Sequence, residues 1–281
     1  MSIAPKPSRI VFEKLEQDLG QLASEPRAES VHRFRTGTRR LQILLGELSP
    51  KLDRSGKKLL KLLARIRKRA GEVRDLDVQL AALRGLKIPR EPRRKTELVN
   101  HLIEVRGRRE KKLRKTVDKA TVREIRKRLK RASKHFKPEA GGDPLATARG
   151  MLEAMDRGNA PVTEALLHQY RILSKRARYA AEFAEPSADA EQFIARVKRI
   201  QDALGDWHDW LTLTRTASQR LGEVRESSLV AELHNVTGAK FRHAAAVLSH
   251  MRASQVPPPG RRTQTPHRAS AKAIDRVASA A

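Results

Sequence analysis

Apolar residues recur along this chain at intervals of three and four, the spacing that lines one face of an α-helix; no segment shows the strict alternation of a half-buried strand. The first such stripe is Ile10, Val11, Leu15, Leu19 and Leu22, with Ser8 ahead of it as an N-cap. Pro26 interrupts, and a second helix is predicted over 28–48 from Val31, Phe34, Leu41, Leu45 and Leu48, stopping before Pro50. A long third helix is predicted over 56–85, carrying Leu59, Leu62, Leu63, Ile66, Val73, Leu76, Leu80 and Leu83, with Pro89 and Pro92 in the loop that follows. From Arg93 to about Lys134 the pattern stays helical without a break, on a sparse stripe of Leu98, Leu102, Val105, Leu113, Val122, Ile125 and Leu129. The Pro- and Gly-containing segment Lys137–Pro144 is the best internal boundary, and four more helices are predicted over 144–157, 163–184, 189–221 and 225–253. This divides the chain into a first unit at 1–137, a second at 138–254 and a flexible basic tail at 255–281.

The two units repeat each other. Val31-His32-Arg33-Phe34-Arg35 aligns with Leu167-His168-Gln169-Tyr170-Arg171, and Arg39-Arg40 falls over Lys175-Arg176. Further on, Gly71-Glu72-Val73-Arg74-Asp75-Leu76 aligns with Gly205-Asp206-Trp207-His208-Asp209-Trp210, and Arg65-Ile66 with Arg199-Ile200. Blocks in the same order at nearly the same offset describe two copies of a four-helix unit.

Composition narrows the chemistry. Cysteine is absent from the 281 residues, which excludes disulfides, Cys-zinc sites and thiol nucleophiles. No apolar run reaches the roughly 18 residues of a membrane span and no signal-peptide stretch opens the chain, so a cytoplasmic protein without membrane insertion is expected. Sixty Lys and Arg against 32 Asp and Glu leave a net charge of +28. That excess opposes compaction by self-repulsion and points to a polyanionic partner. Its distribution is uneven: residues 51–140 hold 32 basic and 11 acidic side chains, whereas 1–50 hold 8 and 6.

The repeated cations share a helical face. At about 100° per residue, Arg35 and Arg39 fall within about 60° of His32, opposite Phe34, Leu41 and Leu45, and Arg40 flanks the stripe. His168, Arg171, Lys175 and Arg178 occupy the same off-core stripe in the second copy, flanked by Arg176. A solvated helix face normally mixes charge signs, yet residues 31–46 contain no Asp or Glu. Like charges three and four apart repel, so the arrangement implies an anion lying along it. Asp75 and Asp209 also point off-core, and their expected role is to bond and orient the Arg or His of each stripe. Gly71 and Gly205, one turn earlier, would let a neighbouring helix approach through their missing Cβ.

These residues carry a likeness to a known family. The chain resembles the CHAD family of conserved-histidine α-helical domains through VHRFRTGTRRL and AGEVRDLDV in the first half, and through LHQYRILSKRARYAAEF and VKRIQDALGDWHD in the second. The resemblance implies an all-α fold of two antiparallel four-helix bundles, related by a pseudo-twofold axis, with a basic central groove. It further implies binding of inorganic polyphosphate, in some members on polyphosphate granules. Carried over by position, the binding set is His32, Arg35, Arg39 and Arg40 with His168, Arg171, Lys175, Arg176 and Arg178, joined by the aligned pair Arg65 and Arg199. Gln42 stands where the second copy has Arg178, leaving the first stripe one cation short.

Polyphosphate suits such a stripe because it presents a regular row of charges and no bases to read; Arg supplies bidentate forks and Lys point charges. The alternative is non-specific binding of RNA or DNA, attracted by the basic excess at 51–140, although aromatic residues for base stacking and a helix-turn-helix arrangement are missing. A metal-dependent phosphohydrolase is the enzymatic alternative, disfavoured because the histidines sit among arginines and the first copy has Arg74 where the second has His208. The reading is a binding protein with no catalytic residues, no cofactor and no metal.

Overall fold

A computed structural model describes residues 5–49, 52–87, 91–136, 142–153 and 161–253. The protein is all-α: nine helices and no strand are found among the described residues. They are α1 (Pro5–Ser24), α2 (Ala28–Gly46), α3 (Arg54–Gly85), α4 (Pro92–Thr116), α5 (Lys119–His135), α6 (Pro144–Glu153), α7 (Glu164–Ala181), α8 (Ala188–Leu221) and α9 (Ser228–Ala253). None is long and apolar enough to cross a membrane.

Local chemistry sets the ends. Asp53, Asp118, Thr163 and Ser187 each accept a hydrogen bond from the backbone N–H three residues on, and so start α3, α5, α7 and α8. Two expectations are corrected. The first helix begins at Pro5 and not after Ser8, because proline costs nothing in a first turn whose N–H groups have no intrahelical partner. The basic stretch expected as one helix is two: Val117 closes α4, and Asp118 accepts from Thr121 N at 2.6 Å to open α5. The stretch 154–157 of the predicted sixth helix, most of the Lys137–Pro144 boundary and the 255–281 tail lie outside the described residues.

Successive long helices pack antiparallel. Arg35 and Arg67 reach across from α2 and α3 to Asp75 and Gln42, and Arg106 on α4 bonds Asp77 on α3 at 2.7 Å. On the other side Gln201 of α8 donates to the Ser174 carbonyl of α7, and Lys240 of α9 bonds Asp206 of α8. The largest apolar cluster draws on residues before and after 137–141, joining Phe12, Leu41 and Ile66 to Leu145, Ala180 and Val197. Phe34 and Tyr170, aligned in the repeat, are both fully buried; each ring contributes roughly 1.5–3 kcal/mol by leaving water.

The halves are also tied by polar bonds. Arg40 on α2 donates to Glu182 beyond α7 at 2.7 Å, and Arg176 on α7 pairs with Glu47 beyond α2. Glu91 takes the left-handed conformation at φ 60° and uses its carboxylate to accept from Ser227 Oγ and Leu229 N, capping α9 from the far half. Those bonds hold its carboxyl below the usual range, the Leu229 N–H foremost.

Candidate functional site: a basic cavity between α2 and α7

The packing of α2 against α7 brings the two cationic stripes onto one cavity of about 970 Å³. His32, Arg35, Arg39 and Arg40 enter it from α2, Arg171, Lys175 and Arg178 from α7, and Asp75 and Asp209 from α3 and α8. Nine Lys or Arg side chains and four Asp or Glu line its walls, a local excess of positive charge inside a partly enclosed space. Enclosure matters because low-dielectric walls focus the field of a cleft and strengthen its pull on an anion.

Two arginines aligned in the sequence repeat both line the cavity but are differently held. Arg35 and Arg171 keep only 15% and 16% of their side-chain surface exposed. Arg35 donates to the Gly71 carbonyl at 3.2 Å and to Asp75 Oδ1 at 3.3 Å. Arg171 lies 4.0 Å from Asp209, beyond hydrogen-bond reach, and its buried Nε has no partner among the described residues. Of the two carboxylates expected to orient the stripes, Asp75 accepts a hydrogen bond from Arg35, whereas Asp209 lies near Arg171 without one. A Cβ on Gly71 would make ordinary contact with the Arg35 guanidinium at 3.6 Å, and one on Gly205 would meet nothing within 4 Å. Close helix approach needs neither glycine. It occurs instead at Gly37, where a Cβ would press on Leu15 at 3.3 Å.

Cations crowd one another here. Burial first, and then Arg171 and Arg39, push the Lys175 ammonium down to about 7. Burial also lowers Arg35 and Arg171, against the opposing pull of Asp75 and Asp209. His32 is lowered by burial and by Arg74 beside it, His168 by burial and by His208. The His168 and His208 rings stack with centroids 5.8 Å apart. Arg74 and His208 are aligned in the repeat, so each stripe histidine meets the residue that precedes the carboxylate. Arg39 and Lys175 form no ion pair or hydrogen bond from their side chains among the described residues, which leaves them free for a ligand.

Other cations are already engaged. Arg40 and Arg178 share Glu182, at 2.7 and 3.2 Å, and both guanidiniums lie over the Tyr179 ring. Four expected binding residues lie off the cavity lining: Arg65 and Arg199 are exposed, His168 stacks on His208 at its margin, and Arg176 is held by Glu47. Lys14, Arg33 and Arg74 line it although the sequence reading did not single them out. For Arg74 the signal was present, since it abuts Asp75 within a repeated block; Lys14 and Arg33 had none. At Gln42, where the first stripe lacks a cation, Arg67 of α3 donates to Gln42 Oε1; burial first, and then Arg39 and Arg35, lower this guanidinium, which does not line the cavity.

The comparisons with known proteins converge on one family. A family model described as the CHAD domain matches residues 11–218. The chain belongs to the CHAD domain family. Among solved structures, this CHAD domain is similar to the CHAD domain from the plant Ricinus communis, with a TM-score of 0.62 at 18% identity, covering 86% of each chain. It is similar as well to PptA from Streptomyces chartreusis, with a TM-score of 0.62 at 16% identity, covering 88% of this chain and 96% of that one. Both likenesses are of fold. A search of curated proteins returns no match.

Proposed function

We propose that this CHAD domain binds inorganic polyphosphate in the cavity between α2 and α7, in the cytoplasm or on polyphosphate granules, and acts there as a binding protein rather than an enzyme. The observation that carries the reading is the convergence of Arg35, Arg39, Arg171 and Lys175, from two distant stretches of chain, on one enclosed volume where cations outnumber carboxylates nine to four. Such crowding raises the energy of the empty site, and a chain of phosphates relieves it by neutralising several cations at once. Arg35 and Arg171, with little freedom left to lose, offer their forks at small entropic cost. Arg39 and Lys175 add charges with no competing partner.

The test compares long-chain polyphosphate, single-stranded RNA and duplex DNA at equal charge concentration and physiological salt. Polyphosphate is expected to bind most tightly, and the pair Arg35→Glu with Arg171→Glu to abolish that binding while circular dichroism stays helical. Equal affinity for all three polymers, or an unaffected double variant, would overturn the proposal. Release of orthophosphate on prolonged incubation would overturn the non-enzymatic part alone.

A further inference from the structure

A second basic surface lies away from the cavity. The first half of α3 and the whole of α5 pack antiparallel: Arg128 on α5 donates to Ser55 Oγ on α3 at 3.0 Å, and Arg65 lies near Asp118 at the other end. Their outer faces carry Lys57, Lys61 and Arg65 on α3 and Arg123, Lys127 and Arg131 on α5, all exposed, none lining the cavity and none in an ion pair among the described residues. The nearby carboxylates are spent: Asp53 and Asp118 cap helices and Glu124 is bonded to Arg128. On α4, by contrast, Arg106, Arg108, Arg109 and Arg114 are tied to carboxylates.

We propose that the α3–α5 face is a second polyanion site that binds the phosphate backbone of duplex nucleic acid without reading its sequence. Each row places a cation every four residues, about 6 Å along the helix axis. The rows are separated by one helix-packing distance, about 8–10 Å, within the range of duplex groove widths, so each row can follow one strand. No aromatic ring lies in either row, so single-strand stacking has no platform. None of the exposed large apolar side chains, Ile10, Ile103, Ile172 and Val224, lies on α3 or α5, so the face lacks an anchor for a lipid surface. Cations that contact only phosphates confer affinity and strong salt dependence, with no base preference.

The test uses the full chain, a labelled 30-base-pair duplex and fluorescence anisotropy over a range of salt. The triple variant Arg123→Gln, Lys127→Gln and Arg131→Gln should weaken duplex binding at least tenfold and flatten the plot of log affinity against log salt by about 3. The cavity pair Arg35→Glu and Arg171→Glu should leave duplex affinity within about threefold and remove polyphosphate binding, so failure here and failure of the cavity reading are separable. An unchanged duplex affinity in the triple variant overturns the proposal. So does loss of duplex binding in the cavity pair, or vesicles with anionic headgroups binding the face as tightly as duplex. Conservative Lys replacements at Arg123 and Arg131 should restore binding; if they do not, the loss came from the helix and not from its charge.

Discussion

The Arg171 guanidinium stops 4.0 Å short of Asp209, whereas its repeat counterpart Arg35 donates to Asp75 at 3.3 Å. The same residue pair thus does different work in each half. Removing the Asp209 charge should let the cavity attract anions more strongly, while Asp75→Asn also loosens the Arg35 fork. By isothermal titration, Asp209→Asn is expected to tighten polyphosphate binding a few-fold and Asp75→Asn to weaken it. Tightening by both variants would show that neither carboxylate orients its arginine.

Lys175 should make polyphosphate binding sensitive to pH. Its ammonium, pushed down to about 7, is half deprotonated near neutrality, and a bound polyanion favours the protonated form. Affinity should therefore fall as pH rises from 6 to 8, with proton uptake on binding above pH 7; His32 and His168, both lowered, add their charge only in more acidic solution. Lys175→Arg should flatten the profile, and titrations in buffers of different ionisation enthalpy measure the uptake directly. For the free protein the sign is opposite to that of a paired lysine. The unfolded chain holds the Lys175 proton to higher pH, so this residue contributes increasing stability as pH rises from about 7 toward 10.

Glu182 fastens α2 to α7 by accepting from Arg40 and pairing with Arg178. Glu182→Gln should cost about 1–3 kcal/mol, read as a lowered urea midpoint, because two half-buried guanidiniums over Tyr179 lose their counter-charge. The same change should raise polyphosphate affinity by freeing both cations. A variant of unchanged stability would reduce the contact to a solvated pair.

Three glycines separate conformational need from simple tolerance. Gly222 has φ 88°, and a Cβ there would strike the Glu226 carboxylate, so Gly222→Ala should destabilise by about 1–3 kcal/mol. Gly205 is helical with open space beside it, so Gly205→Ala should stabilise by about 0.5–1 kcal/mol. Gly37→Val should destabilise, because the larger side chain presses on Leu15 where α1 meets α2. Thermal or urea unfolding checks all three.

The 3.6-residue periodicity of Leu59, Leu63, Ile66 and Val73, or of Val31, Phe34 and Leu41, was enough by itself to determine an all-helical protein, since periodic burial is a local property of sequence. The two copies of the His-Arg stripe, and their direction away from each helix's apolar side, were legible for the same reason. Asp118 and Thr121 signal the α4–α5 break, but the apolar stripe runs on through both helices and hides it. What no single helix encodes is which charges meet. Residues 31–46 contain no carboxylate, yet Asp75 and Glu182 arrive from other elements to hold Arg35 and Arg40. Likewise the distance separating Arg171 from Asp209, the bond from Arg67 to Gln42, and the departure of Arg65 and Arg199 from the cavity follow from how α2, α3, α7 and α8 rotate when their cores interlock. Electrostatic partners are chosen across space, after burial has set those rotations, so the charge of the site was readable from sequence and its geometry was decided only by the packed fold.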